Sequence, residues 1–159
     1  MFITFSMAVM RMSGAIGFNP LFGKSNFPVK IRAYFVFALA LLLYLCADQT
    51  QMAYPETMAE YILMLAGELF LGAVLAFAME LAFLTIRFAS SIMDYSMGLS
   101  MAQVYDPQYG TQSTVSSGIY YAFMVLIFFA SNSHLRLLAL FYQSVQLIPY
   151  GKVTFNPML

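Results

Sequence analysis

Apolar residues fall in five blocks along the chain, parted by polar connections. The first runs from about Phe2 to Phe18, is interrupted by Arg11, and ends at the turn-forming pair Asn19-Pro20. The second is bounded by Ala33 and Ala47, and the third starts near Tyr61 and continues past Phe88. That third block is long for one crossing, which predicts a helix that tilts or extends beyond the bilayer. The fourth, Ile119 to Ala130, and the fifth, Leu135 to Ile148, are short. A helix needs roughly 20 apolar residues to cross a bilayer core, so these two are expected to lean on protein partners or to enter only partway. The pattern predicts an all-α polytopic membrane protein of helical hairpins, a single domain over residues 1–159.

One stretch does not fit the blocks. Residues 97–113 read MGLSMAQVYDPQYGTQS, and the helical pattern breaks at Asp106-Pro107. From Gln108 to Gly118 there is no apolar periodicity, which predicts irregular backbone. At membrane depth such backbone must be buried in protein or line a watery cavity, because lipid cannot satisfy its peptide groups. Outside the membrane it would be an ordinary loop. Just upstream, Met93, Met97 and Met101 recur at spacing four around Asp94, on one helical face. Methionine is flexible and polarizable, so this face reads as a packing stripe that can conform to its neighbours.

Composition agrees with a membrane solvent. Charged residues are 9% of the chain, against about 25% in soluble domains, while Phe, Tyr and Met contribute 16, 11 and 13 residues. Trp is absent, which leaves the interfacial aromatic role to tyrosines such as Tyr34, Tyr44, Tyr54 and Tyr61. The formal net charge is zero and no basic block occurs, so nucleic acid is excluded as an expected partner. The single cysteine, Cys46, cannot form an internal disulfide and reads as a small apolar residue. The N-terminus lacks a basic n-region and a small-residue cleavage site, and reads as a retained membrane segment. Lys24, Lys30 and Arg32 lie between blocks one and two, whereas the next connection carries Asp48, Glu56 and Glu60 with no Lys or Arg. The positive-inside rule puts the first connection in the cytoplasm and the second outside, with Arg136 as a weak exception.

The ionisable residues of block three carry the most information. Glu80, Arg87 and Asp94 recur every seven residues, close to two helical turns, and Glu68 stands further up the same stretch. An ionisable group in hydrocarbon costs at least a few kcal/mol, so such groups face a bundle interior, water or each other. Two readings are open: satisfaction of neighbouring helices, or a water-facing or subunit-facing seam. Gly67, Gly72, Ala66, Ala73 and Ala76 would allow helices to approach closely. A small secondary transporter using Glu68, Glu80 and Arg87 is the competing functional class, but no inverted repeat supports it. Enzyme chemistry has little basis. His134 is the only histidine, there is no phosphate-binding loop, and no His, Cys or carboxylate cluster has metal-ligand spacing.

Several motifs point to a family. R-x-x-G-A (Arg11, Gly14, Ala15), NPLFG at 19–23, PVKIRA at 28–33, MGLSMAQVYDPQYGTQ at 97–112 and LIFFASNSHLRLLALFYQSVQLIPYGK at 126–152 occur in order over nearly the whole chain. In this combination the chain resembles the FliR/SctT family of the bacterial type III export apparatus, with a closer flagellar look than an injectisome one. The resemblance implies one copy assembled with FliP-like and FliQ-like subunits, and with an FlhB-like subunit, into a hetero-oligomeric helical gate for unfolded exported proteins. It implies the bacterial inner membrane as location, within a flagellar basal body or injectisome base, and no cofactor and no catalysis. It further implies that Val104 to Ser117 act as a plug in the closed channel, with Val104, Tyr105, Asp106, Pro107, Gln108, Gly110 and Ser117 as candidates. In such a gate Met93, Met97 and Met101 would supply a deformable seal. Family members continue past the position of Leu159 with further helices, so the resemblance covers the N-terminal portion of the family's length.

Overall fold

A computed structural model describes residues 2–22, 28–46, 55, 57–99, 103–106 and 111–152. The five apolar blocks are five helices: α1 (Phe2–Gly17), α2 (Val29–Cys46), α3 (Met58–Ser96), α4 (Val115–Ala130) and α5 (Ser133–Leu147). Helices α2 and α3 are each long and apolar enough to cross a membrane, and α4 with α5, bent by 70°, form a broken third candidate. The protein is an all-α membrane protein. One small antiparallel hairpin, β1 (Gln103–Asp106) and β2 (Thr111–Thr114), interrupts the helices.

Local chemistry sets the helix ends. The first block stops where the Asn19 side-chain oxygen accepts from the Leu21 amide at 2.9 Å, closing the expected turn. Helix α2 begins four residues earlier than the apolar pattern implies. The amides of Ile31 and Arg32 donate to the Pro28 carbonyl at 3.0 and 3.2 Å. Proline suits a helix start, since its φ is preset and its missing N–H would have no partner there. Lys30 and Arg32 therefore lie in the first turn of a helix, not in a connection. Helix α3 opens on Thr57, whose hydroxyl accepts from the Glu60 amide at 3.3 Å. Its 39 residues make it about 58 Å long, nearly twice the ~30 Å hydrocarbon core, as the length of block three predicts. It ends at Gly98, which takes the left-handed φ of 75°.

The core lies where α1 crosses α3. Met7, Ala8, Met12, Ala15 and Ile16 of α1 are buried together with Leu39, Ala40 and Leu43 of α2, Met64 of α3, and Phe141 and Val145 of α5. Two glycines make the crossing possible. A Cβ on Gly72 would overlap the Arg11 carbonyl oxygen, and one on Gly14 would overlap the Leu69 carbonyl oxygen. Backbones meet at this point, as the small-residue run predicts. Buried positions on α3 fall into two sets. Glu68 and Gly72 meet Arg11 of α1, with Met64 in the same buried cluster, whereas Phe83 and Asp94 meet α4, with the Phe83 and Tyr121 rings 5.6 Å apart. Among described residues α4 buries only Ser117, and α5 only Phe141 and Val145. Apolar side chains such as Phe123, Leu126, Ile127 and Leu147 face outward.

Candidate functional site

The polar stretch expected to be irregular holds an ordered hairpin. Gln103 pairs with Thr114, Val104 with Ser113, Tyr105 with Gln112 and Asp106 with Thr111. From Val115 onward, including Ser117 and Gly118, the chain is already helical. The sequence reading missed the strands for a physical reason. Strand alternation is visible when one face is buried, and here the described side chains range from the exposed Tyr105 and Gln112 to the half-buried Ser113 and Thr114. Pro107, Gln108 and Gly110, at the tip, lie outside the described residues, as does Met101.

The hairpin is rooted at the junction of α3 and α4. Strand β2 runs into α4 without a connecting residue, and it touches both α3 and α4. Asp94, in the last turn of α3, reaches the start of α4, where its Oδ2 accepts from the Ser116 amide at 3.2 Å. That amide is one of the four at a helix start with no partner inside the helix. The positive end of the α4 dipole favours the carboxylate there. Ser117 adds a hydroxyl that donates to the Thr114 carbonyl at 2.8 Å. Met93 and Met97 stand exposed beside this junction, and the Met97 amide closes the last turn of α3 onto the Met93 carbonyl.

The expected polar stripe divides between two neighbours. Twelve residues of helix turn the side chain by about 120° and lift it about 18 Å, so Glu68 and Glu80 share neither face nor level. Asp94 is buried toward α4. Glu80 is half-buried and borders an apolar groove of ≈ 510 Å³ with Phe18, Phe70, Val74 and Phe77. Arg87 is half-buried, and its carbonyl accepts from the hydroxyls of Ser90 and Ser91. The three groups proposed for a transporter site do not converge.

Glu68 has a different role. It is fully buried and pairs with Arg11 of α1, the Nε to Oε2 distance being 2.5 Å. Arg11 also donates to the carbonyls of Ser144 and Ile148, at 3.1 and 3.0 Å, and lies 4.8 Å from the centre of the Tyr150 ring. The second Glu68 oxygen accepts from the Gly151 amide at 3.0 Å. Gly151 can present that amide because it sits at φ 80° in a turn closed from the Lys152 amide to the Pro149 carbonyl. Burial pushes the Tyr150 hydroxyl up to about 12, beyond the opposing pull of Arg11. Sequence reasoning missed Ser144, Tyr150 and Gly151 as partners. The available signal was Arg11 itself, a cation inside an apolar block that needs a buried carboxylate, which Glu68 supplies.

Comparison with known sequences places the chain in a family. Residues 2–159 match the sequence profile described as bacterial export proteins, family 1. The chain is 31% identical over 148 residues to the flagellar biosynthetic protein FliR of Bacillus subtilis, covering 93% of this chain and 56% of that protein. It is 23% identical over 148 residues to the FliR protein of Buchnera aphidicola, covering 93% and 57%, and 32% identical over 89 residues to that of Escherichia coli, covering 56% and 34%. The chain thus spans about half the length of the first two curated relatives it matches. With a profile match over residues 2–159 and these relatives, the chain belongs to the bacterial export proteins, family 1.

Proposed function

We propose that this chain is a subunit of a bacterial flagellar protein export gate, and that the hairpin over residues 103–114 is the plug of its closed channel. The observation that carries the reading is a polar hairpin, rooted between two apolar helices, whose described side chains include none that is fully buried. A plug must hold position when packed and be cheap to displace. A segment with few large apolar side chains loses little burial on opening.

In this reading FliP-like and FliQ-like subunits cover the outward apolar faces of α4 and α5, an FlhB-like subunit joins them, and unfolded proteins pass through the shared conduit. The assembly sits in the bacterial inner membrane. Membership of the export-protein family and likeness to flagellar biosynthetic proteins support the export setting, and the exposed Phe123, Leu126 and Ile127 support heteromeric cover. Met93 and Met97, at the foot of the hairpin, act with Met101 as the seal. No solute turnover is assigned to the chain.

The test is an assembled complex. The chain is co-expressed with FliP-like and FliQ-like proteins of the same organism, weighed by native mass spectrometry, and reconstituted in a planar bilayer. A defined heteromer holding one copy is expected, and replacing residues 103–113 by a Gly-Ser linker raises its resting ion leak. Recovery only as a homo-oligomer would overturn the subunit reading, and leak unchanged by the linker would overturn the plug.

A further inference from the structure

We propose that Asp94 is a latch: its carboxylate holds the base of the hairpin against α3, and breaking this contact lets the hairpin swing while the helices stay packed. The proposal rests on the plug reading for its functional consequence, but not for the motion itself.

The geometry is that of a clasp across an excursion of the chain. The polypeptide leaves α3 at Ser96, makes the hairpin, and re-enters a helix at Val115. Asp94 and Ser116 stand on either side of that excursion, and the contact at 3.2 Å joins its two ends. Because β2 continues directly into α4, fixing the first turn of α4 also fixes the strand. The bond is charge-assisted, carboxylate to amide, and is therefore stronger than a neutral one.

The same site is built to release. Asp94 is 1% exposed, yet its Oδ1 has no hydrogen-bond partner among the described residues. The Thr114 hydroxyl, one residue before α4, is likewise buried without a partner among them. A buried carboxylate served at one oxygen only is incompletely compensated for its lost water. Contrast Glu68, whose two oxygens are both engaged, by Arg11 and by the Gly151 amide. Both oxygens of Glu68 are bonded at the α1–α3 crossing, while at the α3–α4 junction, beside the packed Phe83 and Tyr121 rings, the hydrogen bond that ties the Asp94 carboxylate to the first turn of α4 runs through one oxygen, to the Ser116 amide. Asp94 is a positioning residue, acting on the plug through the α4 start.

The experiment uses the reconstituted heteromeric complex, with Cys46→Ser to remove the exposed native thiol. Spin labels at Ser96→Cys and Gln112→Cys, both exposed, report the hairpin against α3 by pulsed electron resonance. A second pair, at Phe2→Cys and Ile62→Cys, both exposed, reports α1 against α3. Asp94→Asn keeps the shape and removes the charge, and Ser116→Pro removes the donor amide within the first turn of α4, where no intrahelical hydrogen bond is lost with it. Each is expected to raise the population of long 96–112 distances roughly tenfold, as for loss of a charge-assisted hydrogen bond, with the 2–62 distance unchanged. Bilayer leak rises in parallel. If the 96–112 distances stay as in the parent in a variant that keeps the 2–62 distance, the latch is wrong, whatever the leak does. If those distances lengthen and the leak does not change, the latch stands and the plug reading falls.

Discussion

Gly72 of α3 packs directly against the backbone of Arg11 in α1, with no room for a Cβ between them. The contact brings Glu68, one turn before Gly72, level with the Arg11 guanidinium. Close packing and charge pairing at this crossing are therefore one feature. Backbone approach without glycine would separate the helices and pull the ion pair apart.

Gly72→Ala is accordingly expected to be among the most damaging single-methyl additions in the protein. The clash is with backbone, which cannot rotate away, so the cost is about 3 kcal/mol, the upper end for overpacking. Ala substitution at Gly17, where nothing lies within reach of an added Cβ, is expected to be neutral. Thermal unfolding of the two variants in detergent, side by side, checks the contrast.

Glu68→Gln leaves Arg11 buried without its counter-ion, which costs about 3–5 kcal/mol for a pair of this kind. Replacing both Arg11 and Glu68 by Met removes the charge along with the partner and is expected to recover a large part of that loss. A double-mutant cycle on detergent unfolding midpoints measures it. Additive losses would mean that the two side chains do not act as a pair.

Tyr150 offers a test with a sign. Its ring lies under Arg11, but its hydroxyl is buried and has no hydrogen-bond partner among the described residues. Tyr150→Phe keeps the ring and removes an uncompensated polar atom, so stability at neutral pH is expected to stay level or rise slightly, whereas Tyr150→Ala loses the ring and about 3–5 kcal/mol. The unfolded phenol ionises near 10, and the folded one at about 12. The folded value is the higher, so this group's contribution is fully present below pH 10 and is lost as pH rises toward 12. Unfolding curves from pH 9 to 12 should fall more steeply for the parent than for Tyr150→Phe.

For the seal, Met93, Met97 and Met101 are changed together to Ala in the assembled complex. Resting leak in the bilayer is expected to rise severalfold, because alanine cannot fill the irregular gap that a flexible thioether fills. Unchanged leak from an intact complex would remove these residues from the seal.

What the sequence made legible follows the solvent. In a chain without much polar residue, helix limits are marked by the few that remain: Asn19 ends α1 as the turn signal predicts, the length of block three announces a helix longer than the bilayer, and the Thr57 cap, which starts α3 ahead of the apolar pattern at Tyr61, went unread. Gly72 could be read as a close-approach site, although not its partner. Pairings across the fold were hidden. Arg11 meets Glu68 across 57 residues and Ile148 across 137, and no local pattern encodes such distances. The seven-residue repeat of Glu80, Arg87 and Asp94 was correct as spacing on α3, but spacing does not say which neighbour each side chain meets. The hairpin escaped because the residues of 103–114 are mostly polar on both alternating sets, which leaves no apolar alternation to read.

The reach from Arg11 to Ile148 has a consequence in time. The acceptor carbonyl of Arg11 at Ile148 is made 137 positions after Arg11 itself. At synthesis rates of roughly 5–20 residues per second, that interval is about 7 to 27 s. Throughout it, a cation in an apolar helix must stay near water, headgroups or a chaperone, because its full set of acceptors has not yet been synthesised. Helix α1 can thus take its final depth only after α5 has been delivered, so the settling of an early helix in the membrane waits on a much later one.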